Sequence, residues 1–125
     1  MTYLDTCVIV WLIGGETHKL SEAAVQGIRE GDEILVSPAV LLELQLLHEI
    51  KRARMTALKV IERLSAEIGL AICRLSFASV IEHALDISWT RDPFDRLIVA
   101  HARANDAPLI TKDVRMRQHY RRCIW

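Results

Sequence analysis

The chain has 125 residues, 51% of them hydrophobic and 26% charged, and its 16 basic and 16 acidic side chains cancel. That length suits a single domain over residues 1–125 with a substantial core, and the apolar content excludes a disordered chain. The charge is unevenly spread. Residues 1–88 carry 8 Lys/Arg and 12 Asp/Glu, whereas residues 89–125 carry 8 and 4, a local excess of +4. Arg115, Arg117, Arg121 and Arg122 therefore form either a solvated rim or a phosphate-contacting surface.

In chain order, "TYLDT" reads as a short strand and "CVIVWLIGG" as a helix stopped at Gly14-Gly15. "MTYLDTCVIVWLIGG" is too short to cross a bilayer, and it carries an acid at position 5 where a signal peptide needs bases. No membrane association is expected. "LSEAAVQGIREGD" is a helix with Ser21 as N-cap and Gly31 as the residue after its end; Leu20 and Val25 are spaced for a hydrophobic staple. "EILVS" reads as a buried strand. Ser37-Pro38 then opens the helix "AVLLELQLLHEIKRAR". "MTALKVIERLSAEIG" is a further amphipathic helix, "LAICRL" a strand, and "SFASVIEHALDI" a helix capped by Ser76. "DPFDRLIVAHARAND" is helical, "APLIT" a strand, "DVRMRQHY" a short helix and "RRCIW" a last strand.

Strands alternating with helices predict an α/β fold: a three-layer α/β/α sandwich around a central, mainly parallel sheet. Apolar runs such as "EILVS" and "PLIT" suit strands covered on both faces. Cys7, Cys73 and Cys123 are far apart and show no ligand spacing. A reducing, cytoplasmic compartment is the expectation.

The acids stand at the edges of these elements. In open α/β sheets ligands bind beyond the carboxyl ends of the strands. Asp5 ends the first strand, Asp113 follows "PLIT", Asp95 opens a helix, and Glu43 lies in the second turn of the helix after "EILVS". Each has a structural alternative. Asp92 is a good N-cap before Pro93, Asp95 suits the helix dipole, and Asp5 and Asp113 are able to cap the helices that follow them. Glu43 sits among Val40, Leu41, Leu42, Leu44, Leu46 and Leu47, on a helix apolar enough to be buried over most of its surface. Its charge then needs a cation: Arg91, Arg96 or Lys112, or a metal. Gathered carboxylates raise one another's pKa, and a divalent ion relieves the conflict. All-oxygen ligands favour Mg²⁺ or Mn²⁺ over zinc. Such sites hydrolyse phosphodiesters with metal-activated water.

"YLDT", a lone Glu on an apolar helix, "DPFDRLIVAHA" and "LITKD", in that order, resemble a PIN-domain ribonuclease, and among these the VapC-type toxins of toxin–antitoxin pairs. The resemblance spans essentially the whole chain. It implies a PIN-like fold, a Mg²⁺ or Mn²⁺ site, cleavage of RNA of the tRNA or rRNA class, homodimerisation, and a small VapB-like antitoxin that blocks the site. DNA would be reached only through that antitoxin. Carried onto this chain, the resemblance makes Asp5, Glu43, Asp95 and Asp113 both catalytic and metal-binding. It gives supporting places to Asp92, Thr6, Thr111 and Arg96. Cys7 and Thr90 stand where relatives often carry His, and Lys112 replaces a frequent Arg.

Two rival readings differ in kind. His101 and His119 would form the acid/base pair of a metal-independent ribonuclease, which leaves cyclic phosphates. Alternatively the chain is an inert PIN-like protein-binding module, with Trp11, Leu12, Leu44 and Leu47 lining a groove or lying in the core.

Overall fold

The computed structural model describes every residue from Met1 to Trp125. Its strands are β1 (Thr2–Leu4), β2 (Ile34–Val36), β3 (Ala71–Ile72), β4 (Leu109–Ile110) and β5 (Cys123–Ile124). They make one sheet in the order β3-β2-β1-β4-β5, and all four pairings are parallel. The sheet is thus wholly rather than mainly parallel. Strands this short are held by what packs on them, and β1, β2 and β4 are fully buried, as their apolar runs required.

Seven helices flank the sheet: α1 (Thr6–Ile13), α2 (Glu22–Glu30), α3 (Pro38–Glu49), α4 (Ala57–Ile68), α5 (Phe77–Ala84), α6 (Pro93–Ala104) and α7 (Val114–His119). Their starts follow local chemistry. Ser21, Ser37, Ser76, Asp92 and Asp113 each accept a hydrogen bond from a first-turn N–H, and Thr56 does the same for α4. Such caps contribute about 1 kcal/mol apiece. Pro38 and Pro93 take the first helical positions, where no N–H is missed.

Three local expectations are corrected. Helix α3 stops at Glu49 instead of running to Arg54, because the chain folds back on its last turn. The N–H groups of Arg52 and Ala53 both reach the Leu47 carbonyl (2.8 and 3.2 Å), and Lys51 takes a left-handed φ of 61° to allow it. Gly31 closes α2 with an ordinary φ of −66°, so it does not serve as a left-handed cap. Its missing side chain matters for space: a Cβ there would lie 2.5 Å from Ile34 Cδ1 and 3.2 Å from the Gly27 carbonyl oxygen. Finally, α3 is not buried over most of its surface. Ala39, Val40 and Leu44 enter the core, but Leu42, Leu46 and Ile50 are 56, 43 and 60% exposed. They lie four residues apart and form one ridge. Apolar composition did not reveal that α1, α4 and α6 cover only one side of this helix.

The core joins β1 and β4 (Tyr3, Leu4, Leu109, Ile110) to the inner faces of the helices (Val8, Ile9, Leu44, Leu64, Ile98, Met116). The strand order places the site. From β1 the chain steps outward through β2 and β3, then crosses to the other side of β1 to form β4 and β5. A crevice opens at the carboxyl ends of strands where the order reverses, here between β1 and β4. No helix is long and apolar enough to cross a membrane.

Candidate active site

Asp5 is the first residue beyond β1, and its N–H donates to the Ile110 carbonyl at the end of β4 (3.1 Å). Its side chain is almost fully buried, at 7% exposure. The carboxylate accepts from the Thr6 N–H (2.7 Å) and the Thr111 hydroxyl (2.6 Å), with the Cys7 thiol at 3.5 Å. Thr111 is fully buried just past β4, and its hydroxyl also accepts from the Asp113 N–H (3.0 Å). One hydroxyl therefore ties together the two acids on either side of the topological switch. Asp113 caps α7 through Oδ1 to the Met116 N–H (2.8 Å), and its second oxygen has no partner within the chain.

Glu43 arrives from α3, five residues past Pro38, and accepts from the Thr6 hydroxyl at 2.5 Å. Thr6 thus supports two acids, Asp5 by its N–H and Glu43 by its hydroxyl. Asp95, in the first turn of α6, donates its N–H to Asp92 Oδ1 (3.2 Å), while its carboxylate makes no hydrogen bond. Asp5, Glu43, Asp95 and Asp113 line one open cleft of about 530 Å³, together with Thr6, Cys7, Val10, Trp11, Leu47 and Lys112.

Asp92 and Arg96 do not line this cleft. Asp92 caps α6 through Oδ1 to the Phe94 and Asp95 N–H groups, and its charge still acts on Asp95 and Glu43. Arg96 donates Nε–H to the Thr90 carbonyl (2.8 Å), and the Thr90 hydroxyl accepts from the Asp92 N–H (3.2 Å). Both residues therefore fix the turn that presents Asp95.

No cation neutralises these acids. The four ion pairs of the molecule are Lys19–Glu16, Arg63–Glu67, Arg103–Asp86 and Arg122–Asp106, all away from the four carboxylates. Of the alternatives for Glu43, a pairing with Arg91, Arg96 or Lys112 is absent, and its hydrogen-bond donor is the Thr6 hydroxyl. The cost appears in the protonation of the acids. Asp95 is pushed up to about 7, first by desolvation, then by the charges of Asp92, Asp5, Asp113 and Glu43. Burial raises Asp5 and Glu43 as well, against the lowering effect of their threonine hydrogen bonds. The Cys7 thiol is pushed up to about 12 by burial and by the Asp5 charge, so it stays protonated beside that acid.

This donor set suits a hard dication. It is all oxygen and has unneutralised charge. No three of the acids lie close enough together to hold an ion as the side chains stand. Mg²⁺ asks least of such a set, since it retains several waters and binds through one or two carboxylates plus substrate phosphate. Sequence reasoning located the four acids but missed how the rest of the cleft is built. Cys7, Val10 and Trp11 share one face of α1 by i, i+3, i+4 spacing, a periodicity that was readable once Asp5 was placed at the helix start.

The histidine alternative fails on geometry. His101 is 3% exposed, its Nδ1 lies 2.9 Å from both Ser37 Oγ and the Leu97 carbonyl, and burial lowers its pKa. His119 instead stacks on Trp89 with ring centroids 5.0 Å apart, at the rim of another cavity that His101 does not line. Of the proposed groove residues, Leu44 is core, Trp11 and Leu47 line the acid cleft, and Leu12 lines a separate cavity with Leu20 and Val25.

Comparison with known proteins agrees with this architecture. The PIN domain family matches residues 2–122. Ribonuclease VapC22 of Mycobacterium tuberculosis is 35% identical over 118 residues, which is 93% of this chain and 89% of that protein. Two solved structures share the fold. The VapBC2 complex of Rickettsia felis bound to a DNA fragment from its promoter has 20% identity over 94% of this chain and 92% of the matched chain, with a TM-score of 0.63. VapBC-1 of nontypeable Haemophilus influenzae has 18% identity over 94% of this chain and 91% of the matched chain, with a TM-score of 0.64. A wholly parallel sheet, acids gathered at its switch point and a family match over nearly the full length lead to one assignment: the chain belongs to the PIN-domain family.

Proposed function

We propose that this chain is a metal-dependent endoribonuclease, the toxin of a VapC-type toxin–antitoxin pair, acting as a single unit over residues 1–125. The observation that carries this reading is the set of four acids lining one cleft with no ion-pair partner, in a chain 35% identical to a ribonuclease. Asp5, Asp95 and Asp113 would hold a Mg²⁺ or Mn²⁺ ion, with Glu43 completing the set directly or through water. Bound there, the ion lowers the pKa of a water and offsets charge building on the phosphate. The chain's own residues set the stage for it. Thr6 and Thr111 fix the carboxylate orientations by hydrogen bonds. Asp95, pushed up to about 7 without an ion, has to give up its proton to hold one, so binding would be coupled to proton release. Lys112 at the rim, with the exposed Arg91 and Arg115, supplies positive charge for flanking phosphates, which positions RNA without reading its bases. With water as nucleophile the products carry 5′-phosphate and 3′-hydroxyl ends. RNA of the tRNA or rRNA class is the proposed substrate.

The exposed ridge of Leu42, Leu46 and Ile50 gives an antitoxin an apolar surface to cover, and a second copy of the chain a place to dimerise. Two of the fold neighbours are toxin–antitoxin complexes, one of them seated on DNA. By analogy, DNA would be contacted through the antitoxin.

The test is cleavage by the purified chain, free of antitoxin. It should cut RNA with Mg²⁺ or Mn²⁺, and EDTA, Asp5→Asn or Glu43→Gln should each reduce the rate by about 10³-fold or more. Expression alone should arrest growth, and co-expression with the antitoxin should relieve the arrest. Cleavage that survives EDTA and both substitutions would refute the mechanism, and cyclic phosphate ends would reinstate a 2′-hydroxyl attack.

A further inference from the structure

The acid cleft has a second, chemically different end. Val10 and Trp11 of α1 and Leu47 of α3 line it too, so apolar surface shares the same space with the carboxylates. Trp11 is only half-buried, and its ring is held from one direction by Trp125, with centroids 5.9 Å apart at 48°. Two ammonium groups gather over that ring: Lys112 at 5.7 Å and Lys19 at 5.9 Å from its centroid. Lys112 comes from the strand-to-helix loop beside Asp113, and Lys19 from the short 3₁₀ turn Thr17–Lys19. Both ends of the chain therefore supply cations to one indole. Packing does not require this, since both lysines are exposed.

We infer that Trp11 is a base-stacking station for the RNA strand, seating a nucleobase next to the phosphate to be cut, with Lys112 and Lys19 passing from the ring to the adjoining phosphates. The inference rests on the RNA-cleaving reading above. A nucleotide matches the cleft in its parts: a flat apolar ring for the indole, and an anionic link for the ammonium groups and the acid-bound cation. Stacking on an aromatic ring is tolerant of base identity and gains from nearby cations. The lysines suit the exchange, because their long stems let the charge move while the chain stays in place. Without RNA both rest over the electron-rich ring face, Lys112 with no carboxylate partner and Lys19 paired with Glu16. With RNA the base takes that face and the phosphates take the charges. Trp11 is thus a positioning residue. It touches no reacting atom, and its contribution is to hold the strand in register over the acids.

The test uses a single-stranded RNA oligonucleotide, without added Mg²⁺ as a binding probe and with Mg²⁺ for cleavage. Binding should quench tryptophan emission in the wild-type chain, and the quench should be largely lost in Trp11→Phe while affinity is nearly kept. Trp11→Leu should weaken binding about tenfold or more and raise KM for RNA more than it lowers kcat. Lys112→Gln should weaken binding and reduce its salt dependence. Melting curves of each variant report folding, and Lys112→Gln, at an exposed position, keeps the inference testable if Trp11→Leu does not fold. Equal binding and cutting by wild type and Trp11→Leu would overturn the station and leave the ribonuclease reading standing. Trp11→Leu that cuts normally but escapes silencing by the antitoxin would also overturn it, assigning the ring to protein contact. A wild-type chain that neither binds nor cuts RNA would count against the ribonuclease reading itself.

Discussion

Replacing Asp95 by Asn is expected to make the metal-free protein more stable above neutral pH and to abolish its activity. Asp95 titrates near 7 in the folded chain, against an ordinary value of 3.8. A raised folded pKa means that stability is fully present below about 4 and drains away as pH rises through 7. Asp5 and Glu43 are shifted in the same direction, so the loss accumulates across the site. At pH 8 the ionised Asp95 alone should cost about 2 kcal/mol, after allowing for its partial exposure to solvent. Asn carries no charge, and the open cleft lets water satisfy its amide. Melting temperature at pH 8 should therefore rise by about 8 °C, with the gain vanishing toward pH 4. Saturating Mg²⁺ should stabilise the wild type at pH 8 by about 2–3 kcal/mol at a hundredfold excess over Kd, and the variant hardly at all. RNA cleavage should fall by about 10³-fold or more. Stability gained where activity is lost marks a charge kept for function. A variant less stable than wild type at pH 8 would contradict this account of the site.

Thr111→Val should have the opposite effect on stability. The change keeps the shape of a fully buried side chain and removes one hydroxyl. That hydroxyl donates to Asp5 at 2.6 Å and accepts from the Asp113 N–H at 3.0 Å. Asp5 would lose the hydrogen bond that most lowers its pKa, and its carboxyl would climb further. A buried and a half-buried polar group left short of a partner cost about 1–3 kcal/mol each, so a net loss of about 3 kcal/mol is expected. Thr111→Ser should recover most of it, since the hydroxyl returns and only a methyl is lost. Urea denaturation of the three proteins checks the order, and cleavage rates should follow it, because both acids bordering the switch lose their support in the valine variant. Equal stabilities for threonine and valine would show that the hydroxyl does not hold the acids.

Much of this arrangement was legible before any coordinates. The caps Ser21, Ser37, Ser76, Asp92 and Asp113 are local devices, readable because each precedes an apolar run at helical spacing. The acids were legible because each stands at the end of a strand or the start of a helix, where an α/β topology gathers them. What was illegible depends on neighbours distant in sequence. Glu43 looked as if it needed a cation, side chain or metal; its partner within the chain is Thr6, 37 positions away, and nothing local announces that hydrogen bond. Leu42 and Leu46 looked like core, because composition does not say which side of a helix has company. The meeting of Lys19, Lys112 and Trp11 was hidden for the same reason.

The most direct test of the central claim is a Mn²⁺ titration of the antitoxin-free chain at pH 7, followed by calorimetry in buffers of different ionisation enthalpy. The four acids of the cleft predict saturable binding accompanied by proton release, chiefly from Asp95, which is pushed up to about 7. The proton release should fall in Asp95→Asn, and binding should collapse in Asp5→Asn. Failure of the wild type to bind Mn²⁺, or undiminished binding in both variants, would contradict a dication site at these carboxylates.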